Sequence, residues 1–156
     1  VRYYLLREIS PTDDGDFTYE KFEQRYNADL AKGLGNLVAR VLALAEKSDV
    51  KVESELFAEV VKDVKNGVDE LVENFKFNEA LAAVWQLISA GDKYIDDKKP
   101  WTLNPDSEEY KEIVGSLLSL VSEIGGLIEP FLPETSEKID NAVKTGKSTI
   151  LFPRLP

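Results

Sequence analysis

The chain has no cysteine, no histidine and no methionine in 156 residues. Without cysteine there is no disulfide, no thiol nucleophile and no thiolate metal site. Without histidine the commonest general base and metal ligand is missing. Ser-His-Asp catalysis, Cys-His catalysis and Cys/His zinc sites are therefore excluded. No stretch approaches the roughly 18 consecutive apolar residues of a membrane span. Val1-Arg2-Tyr3-Tyr4 lacks the layout of a signal peptide, and a chain opening on Val1 rather than Met reads as processed or excised. There is also no β-type alternation of useful length, no internal repeat and no low-complexity tract.

What remains is 43% hydrophobic and 31% charged residues, the balance of one globular domain able to bury a real core. The formal net charge is −10. So acidic a body repels nucleic acid at long range and argues against a sequence-independent nucleic-acid binder. Any RNA contact has to be local, through a patch of opposite sign to the average.

Apolar periodicity predicts helices. Residues 1–9 are apolar and aromatic, end at Ser10-Pro11, and read as an element severed from something upstream. Thr12-Asp13-Asp14-Gly15-Asp16 reads as a polar turn, and Thr18 is placed to cap a helix starting at the next residue. That long helix is expected to run to about residue 47, with Phe22, Tyr26, Leu30, Leu34, Leu37, Val41 and Leu44 spaced by three or four. Gly33 and Gly35 inside it cost about 1 kcal/mol each against Ala, tolerable where a neighbouring backbone comes close.

Residues 47–51 form a connector. A second helix over about 53–75 is expected to bury Leu56, Val60, Val64, Val68, Leu71 and Phe75. A third, over about 77–97, carries Ala80, Val84, Leu87, Ile88 and Ile95, widened by Leu81 and Trp85, and Pro100 stops it. After Leu103-Asn104-Pro105, Asp106 with Glu109 three residues on resembles a capping box. The fourth helix buries Ile113, Leu117, Leu120, Ile124, Leu127 and Phe131 before Pro130-Phe131-Leu132-Pro133 breaks it. A short fifth helix over about 134–143 precedes a proline-laden tail, 150–156, that packs as an extended segment. The fold class is all-α: an antiparallel bundle of four main helices plus a short fifth.

Few residues suggest chemistry. Gly125-Gly126 lies inside a helical pattern rather than in a phosphate loop. Asp69-Glu70 and Asp96-Asp97 read as solvated faces, and Glu108-Glu109 as charges complementing a helix dipole. A carboxylate-bridged metal site would normally want histidine as well. Two patches remain. At about 100° per residue, Arg25, Lys32, Asn36, Arg40 and Lys47 fall in one stripe of the first helix, interrupted by Asp29. Asn36 and Arg40, four apart, project together and suit base edges, since Asn donates and accepts at once and Arg offers forked donors. A solvated polar face is the plainer reading. The second patch is Lys93 to Trp101, where Lys98 and Lys99 precede a tryptophan just past Pro100. Aromatic surface beside positive charge holds unstacked bases, although Trp101 could equally pack over the bundle end.

The strings themselves resemble a known family. Arg2-Tyr3-Tyr4-Leu5-Leu6-Arg7-Glu8 resembles the segment by which class I aminoacyl-tRNA synthetases leave the catalytic half. Asp16-Phe17, Arg25-Tyr26-Asn27-Ala28-Asp29-Leu30, Leu34-Gly35-Asn36-Leu37 and Arg40 resemble the first bundle helix of methionyl-tRNA synthetases. So do Phe77-Asn78-Glu79-Ala80-Leu81, Tyr94-Ile95-Asp96 with Lys99-Pro100-Trp101, Pro130-Phe131-Leu132-Pro133-Glu134-Thr135, and Leu151-Phe152-Pro153-Arg154. The likeness covers nearly the whole chain in the family's motif order and is weakest in the second helix.

The resemblance implies anticodon recognition, with Asn36 and Arg40 contacting anticodon bases and Trp101 stacking on one. Arg25, Lys32, Lys98 and Lys99 are candidate backbone contacts. It implies residues 1–11 as the end of a linker from a catalytic domain and 12–156 as the anticodon-binding bundle. The expected partners are the anticodon loop of a tRNA and the catalytic domain of the same parent chain, with no membrane, in the cytoplasm. The family's HIGH and KMSKS signatures need His and Met, which this chain lacks. ATP and magnesium would belong to the parent enzyme, leaving no cofactor and no catalysis to this part alone. Two alternatives stay open. One is the anticodon domain of a valyl, isoleucyl, leucyl or cysteinyl synthetase; the other is a redesigned or non-RNA helical scaffold.

Overall fold

The computed structural model describes residues 1–9, 15–50, 52 and 54–156. Most of the turn at 12–16, the start proposed for the second helix at 53 and the linker boundary at 11/12 lie outside these. Among the described residues the chain is helical and has no strand.

Thr18 caps α2 (Tyr19–Arg25) as expected, its hydroxyl accepting from the Lys21 N–H at 3.2 Å. α2 runs without a break into a π-helical segment, Tyr26–Leu34, and then into α3 (Gly35–Ala45). These three make the one long helix that the periodicity predicts, but with nine residues in a wider turn. π-helices are rare and mostly single bulges. This one is accommodated by the two glycines. A Cβ on Gly35 would lie 2.9 Å from the Leu30 carbonyl oxygen and 3.5 Å from the Phe152 ring, and one on Gly33 would lie 3.4 Å from the Trp85 indole nitrogen. The one approach too close for a side chain is at Gly35 and is made by the helix's own Leu30 carbonyl across the wider turn, while Trp85 and Phe152 stand at ordinary contact distance from the glycines.

The second helix departs from expectation. α4 spans Ala58–Glu73 and buries Val61 and Val68, with Phe57, Val64, Leu71 and Val72 partly buried. Leu56, Val60 and Phe75 are exposed. Leu56 and Phe75 fall outside the helix, and a second stripe that starts at the N-cap Phe57 and runs through Val61 to Val72 competes with the expected one, sharing Val64 and Val68 with it. Toward their ends the two differ by one residue, about 100° of rotation, and packing against the third and fourth of the expected helices selects between them.

α5 (Phe77–Lys98) follows a tight turn, and α6 (Glu108–Ile128) and α7 (Pro133–Thr145) complete the bundle. The cap of α6 is Ser107, whose hydroxyl accepts from the Tyr110 N–H at 3.2 Å, not Asp106. The Asp106 N–H is instead engaged by the Asn104 side-chain oxygen at 3.1 Å, a local turn that shifts the helix start by one residue. Ile113, Leu117, Leu120, Ile124, Leu127 and Phe131 are all buried, as expected.

Consecutive helices run antiparallel, so the first helix and α5 lie side by side in the same direction. Asp29 meets Trp85, Leu37 meets Gly91 and Arg40 meets Asp96. The core fills between α3, α5 and α6, from Leu34, Leu37, Val41, Leu81, Val84, Ile88, Ile95, Leu117 and Ile124. Residues 1–9 form α1 (Arg2–Glu8), which lies on α5. Its Tyr3 ring sits 4.9 Å from the Trp85 ring and its hydroxyl donates to the Asp29 carboxylate at 2.6 Å. Burial first, then Asp29, push the Tyr3 phenol far up from its ordinary pKa. The tail packs as expected: Leu151 is buried and the Phe152 ring stands edge-on to Tyr26.

One buried polar contact ties the core together. Tyr110 on α6 is fully buried and donates to the Leu44 carbonyl at 2.7 Å. Tyr110→Phe removes the donor and leaves that carbonyl to the Lys47 N–H alone, at 3.1 Å, so unfolding by denaturant should show a loss of about 0.5–1.5 kcal/mol.

Candidate nucleic-acid interface

The end of the bundle where α5 stops is built by an abrupt change of backbone. Lys99 adopts a left-handed conformation (φ 47°) and closes α5 by donating its N–H to the Ile95 carbonyl. Pro100, with no N–H to satisfy, then opens a 3₁₀ turn, Pro100–Thr102, and is itself buried. The Thr102 hydroxyl returns to the Lys99 carbonyl at 2.8 Å and locks the turn. Trp101 is thereby held outward with 53% of its surface exposed. It does not close over the bundle end. Lys98 and Lys99 flank it, both exposed. The Lys98 ammonium lies 5.8 Å from the centre of the Tyr94 ring, a cation–π distance.

Arg40 reaches toward the same end from α3. Its guanidinium donates to Asp92 at 3.0 Å and to Asp96 at 2.7 Å, both on α5. Two of its five N–H donors are thus engaged, and the planar group is fixed while still partly exposed. Asp96 therefore belongs to an ion pair rather than to a purely solvated face; Asp69, Glu70 and Asp97 are exposed as expected. Burial holds the Asp92 carboxyl above its ordinary pKa, against the opposing pull of Arg40. Asn36, one turn earlier, is exposed and makes no side-chain hydrogen bond among the described residues.

The expected stripe does not continue to Arg25. The wide turn between residues 26 and 34 changes the helical phase, and Arg25 turns toward α1, pairing with Glu8 and with Asp29 at 3.4 Å. Lys32 and Lys47 remain exposed. The structure thus brings Arg40, Trp101, Lys98 and Lys99 to one end with Asn36 a turn away, and ties Arg25 into the opposite half. Asp92 was missed in the sequence. Its signal is the i,i+4 pair with Asp96, which places two carboxylates on one face of α5. Among the described residues no cluster of acidic side chains is arranged to hold a metal ion, and no helix is long and apolar enough to cross a membrane.

The bundle thus carries an exposed tryptophan beside two lysines, with a fixed arginine on the neighbouring helix, and comparison with known proteins gives its family. The family model for class I tRNA synthetases of the methionine type matches residues 1–42. That for the anticodon binding domain of methionyl-tRNA ligase matches residues 45–153. The chain belongs to the methionyl-tRNA ligase family. The methionine–tRNA ligase 1 of Bacillus anthracis is 36% identical over 152 residues, covering 89% of this chain and 23% of that protein. The ligase of Lactococcus lactis is 39% identical over 151 residues, with the same coverage. That of Halalkalibacterium halodurans is 35% identical and covers the whole chain, against 26% of its own length. The chain thus spans about a quarter of the length of these relatives. The free-state crystal structure of Mycobacterium tuberculosis methionyl-tRNA synthetase shares the fold, with a TM-score of 0.79 over 99% of this chain and 38% of that one, at 24% identity.

The burial of Asp92 yields a pH prediction. A carboxyl whose folded pKa is raised binds its proton more tightly in the folded state. Stability from Asp92 is therefore least above that raised value and grows as pH falls through it toward the ordinary value of 3.8. Asp92→Asn, neutral at every pH, should remove this increment without loss of fold at pH 7. Denaturant unfolding at several pH values between 4 and 7, compared with the wild type, checks it.

Proposed function

We propose that this chain reads the CAU anticodon of methionine tRNA, as the anticodon-binding part of an enzyme that attaches methionine to tRNA using ATP. The observation that carries the reading is the outward Trp101 indole, held at the same end of the bundle as a fixed Arg40. Trp101 offers a stacking surface for one splayed base. Arg40 presents its remaining N–H donors, and Asn36 an amide that both donates and accepts, to base edges. Lys98 and Lys99 lie where phosphates of a loop stacked on Trp101 would pass. Lys32 offers a further charge on the same helix, and Arg25 could contribute only by leaving its acidic partners. A small patch suffices on an acidic body because loop bases are recognised by stacking and edge contacts rather than by a broad basic face.

In this reading residues 1–11 end the linker from the catalytic half and residues 12–156 form the reading bundle. ATP, magnesium and methionine belong to that other half, and this chain alone catalyses nothing. Its contribution is placement: gripping the anticodon sets the tRNA so that the acceptor end reaches the active site, in the cytoplasm. A second reading, a helical scaffold that keeps the fold without reading RNA, draws on the net charge of −10 and on the neutralisation of Arg40 by two carboxylates.

Binding to a stem-loop carrying CAU, against one with a scrambled anticodon, at low salt, separates the two. Preference for CAU supports the reading; equal or absent binding favours the scaffold. Trp101→Ala and Arg40→Ala should each weaken CAU binding by about 1–3 kcal/mol with the circular dichroism spectrum unchanged.

Lys99 allows a sharper check. Glycine is at ease in the left-handed conformation that Lys99 adopts, so Lys99→Gly should raise stability by about 1 kcal/mol. If Lys99 contacts a phosphate, the same change should lower affinity and reduce the salt slope by about one. A variant that is more stable yet binds as tightly, with an unchanged slope, would remove Lys99 from the interface.

A further inference from the structure

The C-terminal tail does more than cover apolar surface. It is tied to the first helix at both ends. The Ser148 N–H donates to the Glu46 carboxylate at 2.7 Å, just past the end of α3. The Leu155 N–H donates to the Asn27 side-chain oxygen at 2.9 Å, and the Asn27 amide nitrogen donates back to the Leu155 carbonyl at 3.2 Å. Between these anchors Leu151 is buried and Phe152 packs edge-on against Tyr26 and over Gly35. The tail therefore runs back along the first helix in the opposite direction. Seven residues of extended chain reach roughly 24 Å, close to the ~28 Å that an ideal helix would need between Asn27 and Glu46.

Three of those contacts fall on or beside the π-helical segment. Asn27 is its second residue, Tyr26 its first, and Gly35 comes directly after its last. At Gly35 the Phe152 ring packs close to the backbone, 3.5 Å from where a Cβ would stand, and Asn36 comes next. An i→i+5 turn is less stable than an α-turn unless something outside the helix supports it. Here the support comes from Trp85 on one side, through the Asp29 carbonyl at 3.3 Å, and from the tail on the other. Relaxation of this segment to the tighter α geometry would rotate everything after it relative to α5, including Asn36 and Arg40.

The geometry points to the tail as a positioning strap for the anticodon-reading helix: Asn27 and Phe152 hold Tyr26–Leu34 in its π register and so set the direction in which Asn36 and Arg40 project. Asn27 touches no base in this arrangement; it is a positioning residue. The inference rests on the proposed role of Asn36 and Arg40 and names what keeps them aimed.

The test uses the 156-residue chain with Asn27→Ala, Leu155→Pro and the two combined. Leu155→Pro deletes the N–H that Asn27 accepts while keeping an extended backbone. Two readouts are taken: affinity for CAU and scrambled stem-loops, and amide hydrogen exchange over residues 30–35. Asn27→Ala, which removes both hydrogen bonds, should weaken CAU binding roughly tenfold, and Leu155→Pro, which removes one of the two, roughly threefold. Preference over the scrambled loop should shrink, and exchange over 30–35 should accelerate. The double variant should be little worse than Asn27→Ala, because that change already removes the bond lost in Leu155→Pro. Asn27→Asp, which keeps the acceptor and loses the donor, should fall between wild type and Asn27→Ala.

Unchanged exchange over 30–35 in Asn27→Ala would overturn the strap, whatever the RNA does. Faster exchange with wild-type affinity and preference would overturn it too. In both cases the anticodon reading stands if Trp101→Ala still weakens binding. A wild-type chain with no CAU preference overturns the reading itself, and with it the strap's part in recognition.

Discussion

The first helix and α5 run side by side in the same direction, and the seam between them organises the rest of the molecule. Near one end the Trp85 indole donates to the Asp29 carbonyl over a helix thinned by Gly33. In the middle Gly91 lets Leu37 and Leu120 close on the α5 backbone. At the far end Arg40 bridges to Asp92 and Asp96. Each contact needs a different rotation of the first helix, and a uniform α-helix is not the only way to meet them. The π-helical stretch is where the helix changes phase between its α1-facing half and its outer half. α1 is fastened to the first half through Tyr3 and Asp29, the tail to both halves, and the end that carries Asn36 and Arg40 is presented by the second.

Charge acts locally on such a seam. A body of net charge −10 would be a poor place for RNA if affinity rested on long-range attraction. The two carboxylates beside Arg40 cancel its field but hold its plane. That exchanges electrostatic reach for orientation, the useful trade when the partner is a base edge rather than a phosphate. The lysines around Trp101 carry no such partners among the described ion pairs and are free to act as point charges. Burial of Asp92 keeps the cluster responsive to acid, since the same desolvation that raises its pKa makes its ionised form costly.

Where the sequence was legible, one local signal dominated. Thr18 at a cap, Pro100 at a stop and the buried stripe of α6 each depend on residues within a turn or two of one another, and each was found where expected. The failures share a different cause. α4 carries two apolar stripes one residue apart, and only the shape of the α5–α6 surface chooses Val61 over Val60. Ser107 and Asp106 are both good caps, and the Asn104 turn decides between them. Trp101 could have packed inward or pointed outward; the left-handed Lys99 and the buried Pro100 turn it out.

The sequence by itself determined that the chain is an all-helical bundle without thiol or imidazole chemistry, because composition and a 3.6-residue period are properties of the chain alone. The motif strings carried its family, and with it Asn36, Arg40 and Trp101 as candidate contacts. Only the tertiary structure decided how those three are aimed. A helical projection assumes one constant rotation per residue, and the wider turn over Tyr26–Leu34 breaks that assumption. What sustains the wider turn lies far away in the chain: Trp85 on α5 and the tail at residues 152 and 155. Long-range partners of this kind leave no periodic trace, so the π register, the Arg25 pairing with α1 and the Asp92 clasp on Arg40 emerge only when the helices are packed.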